Sequence, residues 1–546
     1  MKYLACVMLV PTFCLAVFAQ HDYGQSKPVT LMSGIGELHH SVSTSNPEAQ
    51  KFFDQGLRLI FDFNHDEAAR SFQHATELDP KLAMAYWGVA EAVGPNYNDP
   101  ASDERFKAAH DAIQKAVDLQ AGASPSERAY IVALAKRFPA DQQADRRKAA
   151  EDYRDAMREI VKKYPDDLDA ATLFAESGMN LHPWGLWHSD GTPQAGTEEI
   201  VSTLESVIRR DPNHLGAVHY YIHAVEASPN PERALAGANR LAALAPAAGH
   251  IVHMPAHVYI RTGDYAAAVE TNRKAAAADE AYIKASGAQG IYPMMYYSHN
   301  LHFIAICAAM TGDYEQAKKS AGVLAAQVGP HVKEVPPLEA FMVVPMAVDV
   351  RFHRWNDILS TNAPDASMKT TTFFYHFARG MALAGTGKLG EAESEYQMLS
   401  QAEKNTSMDA IFSMPFNNKT KNIMTIAENV LGAKIAAAKK DHGTAVAMLQ
   451  KAVAVQDSLN YGEPPDWFFP VRESLGAELL VSGDVAGAEK VFRDDLERNP
   501  RNPRSLFGLH ETLKKQNRDY DAQFVQKQFQ SSWKGQDRDL KLEDLV

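Results

Sequence analysis

Along most of the chain, apolar residues recur at the three- and four-residue intervals of an amphipathic helix. No stretch alternates with the two-residue period of a strand. One kind of joint cuts the pattern at intervals. Thr262-Gly263-Asp264-Tyr265 with Ala268 and Thr311-Gly312-Asp313-Tyr314 with Ala317 are two copies. Thr386-Gly387-Lys388-Leu389 with Ala392 and Ser482-Gly483-Asp484-Val485 with Ala488 are two more, and Arg233-Ala234 and Thr444-Ala445 mark weaker ones. Such joints between amphipathic runs predict an all-α chain of helix–turn–helix hairpins.

The period is readable in residues 47–80, a unit of 34 residues. Asn46 and Pro47 supply an N-cap and a first-turn proline. Gly56 and Ala68 are small where two antiparallel helices must approach. Phe72 and Ala75 share one helix face, and Pro80 cannot continue the helix. In residues 469–502, Gly476, Ala488, Phe492 and Pro500 keep the offsets of Gly56, Ala68, Phe72 and Pro80. On these residues the chain resembles tetratricopeptide-repeat (TPR) proteins. The resemblance implies a right-handed superhelical solenoid of roughly eight to ten hairpins over residues 47–535. It also implies a concave groove lined by the first helix of each hairpin, the surface on which such scaffolds usually hold a peptide or protein partner. Several stretches depart from the pattern: Gly94–Pro100, the insert Leu181–His188, residues 126–165 and the proline-broken 331–370.

The ends read differently. Lys2 followed by an apolar run to Phe18, with Val17 and Ala19 at the small positions of a cleavage site, predicts a signal peptide over 1–19. The expectation is an exported protein, periplasmic or secreted. Residues 20–46 are too polar for a packed helix and read as an extended arm, and 536–546 as a polar C-terminal tail. After the leader no segment approaches a membrane span. Of 546 residues 45% are hydrophobic and 23% charged, the balance of a folded chain. A net charge of −13 without any basic run argues against nucleic acid as a partner. With only three cysteines there is no disulfide framework, and Cys307 lies in an apolar helical run that suits a core thiol.

Histidine changes the picture. Eight of the 21 lie between His214 and His302. His219 and His223 are four apart, and His253 and His257 repeat them 34 residues later. His302 follows His253 by 49 positions, a further 34 plus a 15-residue excess around Gly287–Tyr297. Spacings of three and four put His219, His223 and Glu226 on one helix face, His250, His253 and His257 on another, and His299 and His302 on a third. Neighbouring helices stand roughly 8–10 Å apart, so these faces can share a metal such as zinc, copper or iron, with Glu226 as an oxygen donor. Such histidines can equally be plain packing residues. Neither His219-Tyr-Tyr-Ile-His223 nor His253-Met-Pro-Ala-His257 carries a zincin's glutamate, which disfavours a metalloprotease. Pro255 either kinks a helix that began before His250 or starts a new one; the preserved register favours the kink.

Tyr220, Tyr259, Tyr296 and Tyr297, with nearby methionines, suit a surface gripping an apolar ligand or peptide. Trp184 and Trp187 in the insert either cover the groove or cap one repeat. Two functions follow. The first is an exported scaffold binding a peptide or protein in its groove, without catalysis. The second is a metal- or cofactor-binding protein, with or without catalysis, built on the histidine face of residues 214–302.

Overall fold

The computed structural model describes residues 27–141, 143–290, 292–413, 418–535 and 540–545. The signal peptide expected at 1–19 lies outside them. Helix α1 (Pro47–Phe61) turns back on α2 (His65–Leu78), and α3 (Ala83–Val93) on α4 (Asp103–Leu119). The pairs α5 (Pro125–Arg137) with α6 (Arg146–Lys163) and α7 (Leu168–Met179) with α8 (Thr197–Arg210) follow. Next, α9 (Leu215–Val225) pairs with α10 (Leu235–Leu244). The broken arm α11 (Gly249–His253) and α12 (Pro255–Thr262) pairs with α13 (Tyr265–Ser286). Helix α14 (Ser298–Thr311) packs on α15 (Tyr314–Val328), ahead of three short helices, α16 (Glu339–Met342), α17 (Val344–Arg351) and α18 (Trp355–Ser360). Four pairs complete the array: α19 (Lys369–Gly385) with α20 (Leu389–Asn405), α21 (Thr420–Ala438) with α22 (His442–Asp457), α23 (Val471–Ser482) with α24 (Val485–Arg498), and α25 (Pro503–Lys515) with α26 (Asp519–Ser532). Each pair packs on the next, so the fold is an all-α, TPR-like array of stacked hairpins.

The small residues do what their spacing predicts. The Phe72 ring fills the joint between Gly56 of its own hairpin and Gly88 of the next. A Cβ would lie 2.7 Å from the ring at Gly56 and 2.3 Å from it at Gly88. Phe492 sits between Gly476 and Gly508 in the same way, at 2.6 and 2.2 Å.

The array is wound tightly enough for distant hairpins to touch. Helix α1 contacts α9, and α14 contacts α25. Arg351 pairs with Glu473 at 2.9 Å, and a Cβ at Gly263 would lie 2.0 Å from the Pro500 carbonyl oxygen. One large apolar core runs from Ile35 to Val258 and a second from Ala276 to Leu545. The hairpin of α11–α13 lies at the seam between them.

Both flanks are docked. Residues 27–46 form no helix but cross several hairpins: Lys27 donates to the Ala285 carbonyl, Ala247 N–H to the Gly34 carbonyl, and His40 to Asp169. At the other end the polar tail carries an apolar residue inward. Leu545 is buried and its carbonyl accepts from Ser474, while Arg504 donates to the Asp544 carbonyl. Among the described residues no helix is long and apolar enough to cross a membrane.

Candidate metal centre

Helices α9 and α11–α12 place their histidines inward at the seam. Pro255 has no N–H to give the Ile251 carbonyl, yet Met254 before it keeps helical angles (φ −51°, ψ −35°). The chain therefore bends and continues, so both i,i+4 pairs stay on helical backbone. Gly249 lets α11 approach α13, since a Cβ there would lie 1.7 Å from Asp279 Oδ1.

Hydrogen bonds at one ring nitrogen fix the other. His219 donates from Nδ1 to the Phe61 carbonyl at 2.6 Å. His223 donates from Nδ1 to Glu226 Oε1 at 2.9 Å, and His257 donates from Nδ1 to Glu226 Oε2. His253 donates from Nδ1 to Asn272 Oδ1 at 2.6 Å. The Asn272 amide is itself oriented by its Nδ2 donating to the Ala268 carbonyl at 2.8 Å. Every partner of these four rings is an acceptor, so each ring turns Nε2 towards its neighbours. The Nε2 atoms of His219 and His250 stand 3.1 Å apart, and those of His253 and His257 2.7 Å apart. The Nε2 of His223 is buried without a hydrogen-bond partner among the described residues. Ligand atoms of His219, His223 and His250 all lie within 4.8 Å of one another, as do those of His253, His257 and His299.

Charge is distributed unevenly over the cluster. Burial, helped by neighbouring imidazoles, holds His219, His250, His253 and His299 well below the usual histidine range and so neutral. His257 is the exception. Burial opposes its charge, but Glu463 and Glu226 outweigh it and push its pKa up to about 10. The carboxyl of Glu226, despite burial, is pulled down to about 2 by His257 and His223. Glu463 lies 2.6 Å from His257 Nδ1 and is pushed up to about 7, burial being the larger cause.

Phe63 covers the first triad, with ring centroids 4.6 Å from His219 and 5.4 Å from His250. It holds φ at +57°, a left-handed conformation costly for a bulky residue. Phe303 covers the second triad, 4.8 Å from His253 and 5.0 Å from His299. Beside the histidines lies a cavity of about 150 Å³, walled by Phe63, Trp184, Tyr296, Phe341 and Phe468. That volume suits a benzene-sized molecule. Trp184, Glu463, Asp466 and Phe468 also line an outer groove of about 920 Å³, so they partition the two spaces. The insert covers the chamber: Trp184 donates to Asn98 Oδ1 at 3.1 Å, and Trp187 donates to the Ala224 carbonyl at 2.8 Å.

Several sequence expectations change. The histidines do not group helix by helix. His250 reaches back to the α9 pair, and His299 to the α11–α12 pair. His302 packs edge-on against Phe341 and Phe468, 5.5 Å from each, and stays outside both triads. Its i+4 neighbour is Ile306, so this third copy has no second imidazole. Tyr296 and Trp184 line the chamber, whereas Trp187 lines only the outer groove. Tyr220 is core, Tyr259 bonds Asn239, and Tyr297 bonds Glu280 away from the cavity. Above the histidines, Phe63 packs on His219 and His250, and Glu463 reaches His257. Phe63, Asn98, Asn272 and Glu463 belong to the site but carry no metal-ligand spacing. Phe63 did leave a signal: it stands five residues before Ala68, where Gly263 stands before Ala268 and Gly312 before Ala317.

No protein-family model matches the chain, and no curated protein matches it. Solved structures with related helical arrays include a human IFIT1 dimer with m7Gppp-AAAA. It is 12% identical, with a TM-score of 0.34, over 88% of this chain and 94% of that one. The TPR domain of P58(IPK) is 12% identical at a TM-score of 0.23, over 88% of this chain and 99% of that one. The APC/C hetero-tetramer Cut9-Hcn1 is 12% identical at 0.32, over 85% and 76%. Overlaps this low carry nothing about function, and the fold rests on the helix pairs themselves.

Proposed function

We propose that this is a metal-binding protein, working outside the cytoplasm, that holds a d-block ion on histidines inside a TPR-like array and beside a chamber for a small molecule. The observation that carries the reading is the inward set of Nε2 atoms, four of them, on His219, His223, His253 and His257, fixed by an acceptor on Nδ1. His253 and His257 both commit Nδ1 to acceptors, so their Nε2 atoms, facing at 2.7 Å, need a proton or a metal ion between them, while those of His219 and His250 face each other at 3.1 Å. Imidazole donors suit zinc, copper or iron. A chamber of about 150 Å³ is far too small for a peptide. Metal analysis of untagged protein purified at neutral pH tests this. Stoichiometric metal, lost when His219, His253 and His257 are replaced by alanine, is expected; trace metal indifferent to those changes would refute it.

Among the described residues, a scaffold role has a candidate surface in the outer groove of about 920 Å³ between the Pro183–Gly191 insert and the Gln456–Arg472 stretch. Capture of a peptide partner that survives all three histidine replacements but is lost in Trp187→Ala would place scaffolding there, separate from the metal.

A further inference from the structure

We infer that the centre holds two ions, and that the second site is the first copied one repeat further along. This rests on the metal reading and extends it. His250 follows His219 by 31 positions. His299 follows His253 by 46, the same 31 plus the 15-residue excess. That excess is taken up by a 22-residue α13 and by the π-helical stretch Tyr292–Tyr297 ahead of α14. Each triad is therefore an i,i+4 pair on one hairpin's first arm, closed by a histidine from the next hairpin. Stacking translates this unit, so six imidazoles form two sets of three, and Glu226 with His223 and His257 forms a further set between them.

The geometry of each set suits one ion. With metal–nitrogen bonds of about 2.0–2.1 Å in a tetrahedral shell, ligand nitrogens stand about 3.3 Å apart. The His219–His250 separation of 3.1 Å is close to that, and the His253–His257 separation of 2.7 Å needs only a small opening. The two sets adjoin: ring centroids of His223 and His257 are 5.4 Å apart, and those of His250 and His253 5.8 Å. Glu226 is not repeated, Ile260 standing at the equivalent place one unit on. It lies between the sets, accepting from His223 of one and His257 of the other. His223 and His250 of the first set and His257 and His299 of the second all line the chamber, so a small molecule there would meet both ions.

The test is an ion count. Untagged full-length protein is stripped with chelator and equilibrated with Cu(II) at a buffered low free concentration. Two ions per chain are expected, one in His250→Asn, one in His299→Asn, and none in the double variant. One ion in the unmodified protein, or a single variant that keeps two or loses both, overturns the second site. No ion at all overturns the metal reading itself, so the two failures are distinguishable. Should a variant not fold, electron paramagnetic resonance of the unmodified protein decides. Neighbouring Cu(II) ions couple and depress the spin count below the copper count. A spin count equal to the copper count overturns the inference.

Discussion

Two hairpins near the ends of the array and the central one use the same positions for opposite purposes. In the first and the penultimate hairpin, the residue four beyond the small alanine of the second helix is Phe72 or Phe492, wedged between two glycines. In the central hairpin that position, four beyond Ala268, is Asn272, fully buried and holding His253 by its amide. The turn is inverted as well. Gly263, Gly312, Gly387 and Gly483 take positive φ there at no steric cost, His353, Lys440 and Asn517 hold it in other hairpins, and the first hairpin puts Phe63 in that conformation, over the histidines. The site arises by exchanging apolar for polar, and small for large, at the positions on which the repeat itself depends. The break between the two apolar cores falls at that hairpin.

The largest effect that would sharpen this contrast is on stability. Phe492→Ala empties a joint packed on both sides and should cost about 3–5 kcal/mol in denaturant unfolding, while metal content stays unchanged. Asn272→Leu makes the central hairpin resemble the others and takes the acceptor from His253. Metal affinity should fall about 10–100-fold by competition titration, and stability by about 1–3 kcal/mol for the orphaned N–H. An unchanged affinity would break the comparison. Phe63 gives a finer test. Phe63→Gly and Phe63→Ala lose the same ring, but glycine tolerates the left-handed turn, so it should be the more stable by about 1 kcal/mol. Equal melting temperatures would mean the turn is not held in that conformation.

The smallest effect lies outside both regions, where the arm docks. Burial raises the Asp169 carboxyl, but hydrogen bonds from His214 and His40 hold it below its ordinary 3.8. Burial likewise opposes the charge on His40, and Asp169 raises it above 6.5. The Asp169 contribution is thus present above about pH 4 and lost as pH falls further. The His40 contribution is present below 6.5 and lost as pH rises through its raised value. Protection factors over residues 27–46, hydrogen-exchange rates divided into the intrinsic rate at each pH, should be largest between those limits, and should lose that maximum in Asp169→Asn.

The repeat was legible because its constraints are local: a glycine, an alanine and a phenylalanine at fixed offsets suffice to place two helices and their joint. The histidine register was legible for the same reason. The grouping into triads was not, because it depends on how far one hairpin is displaced from the next, a distance that no single helix face contains. The walls were still less visible. Trp184 and Glu463 come from an insert and a loop whose paths are set by packing against hairpins far away in sequence. Departures from the repeat, at Gly94–Pro100 and Leu181–His188, marked those walls without saying what they enclosed.

Helical repeats ordinarily depend only on their neighbours, so each hairpin can stay folded while others come and go. The contact of His257 with Glu463 and the cover of Phe63 over His219 join parts of the coil that are not neighbours. They act as clasps across its turns. The chamber is therefore a property of the winding rather than of any hairpin. Tension or a truncation that loosens the coil would strip the walls from the histidines before it melted a single helix.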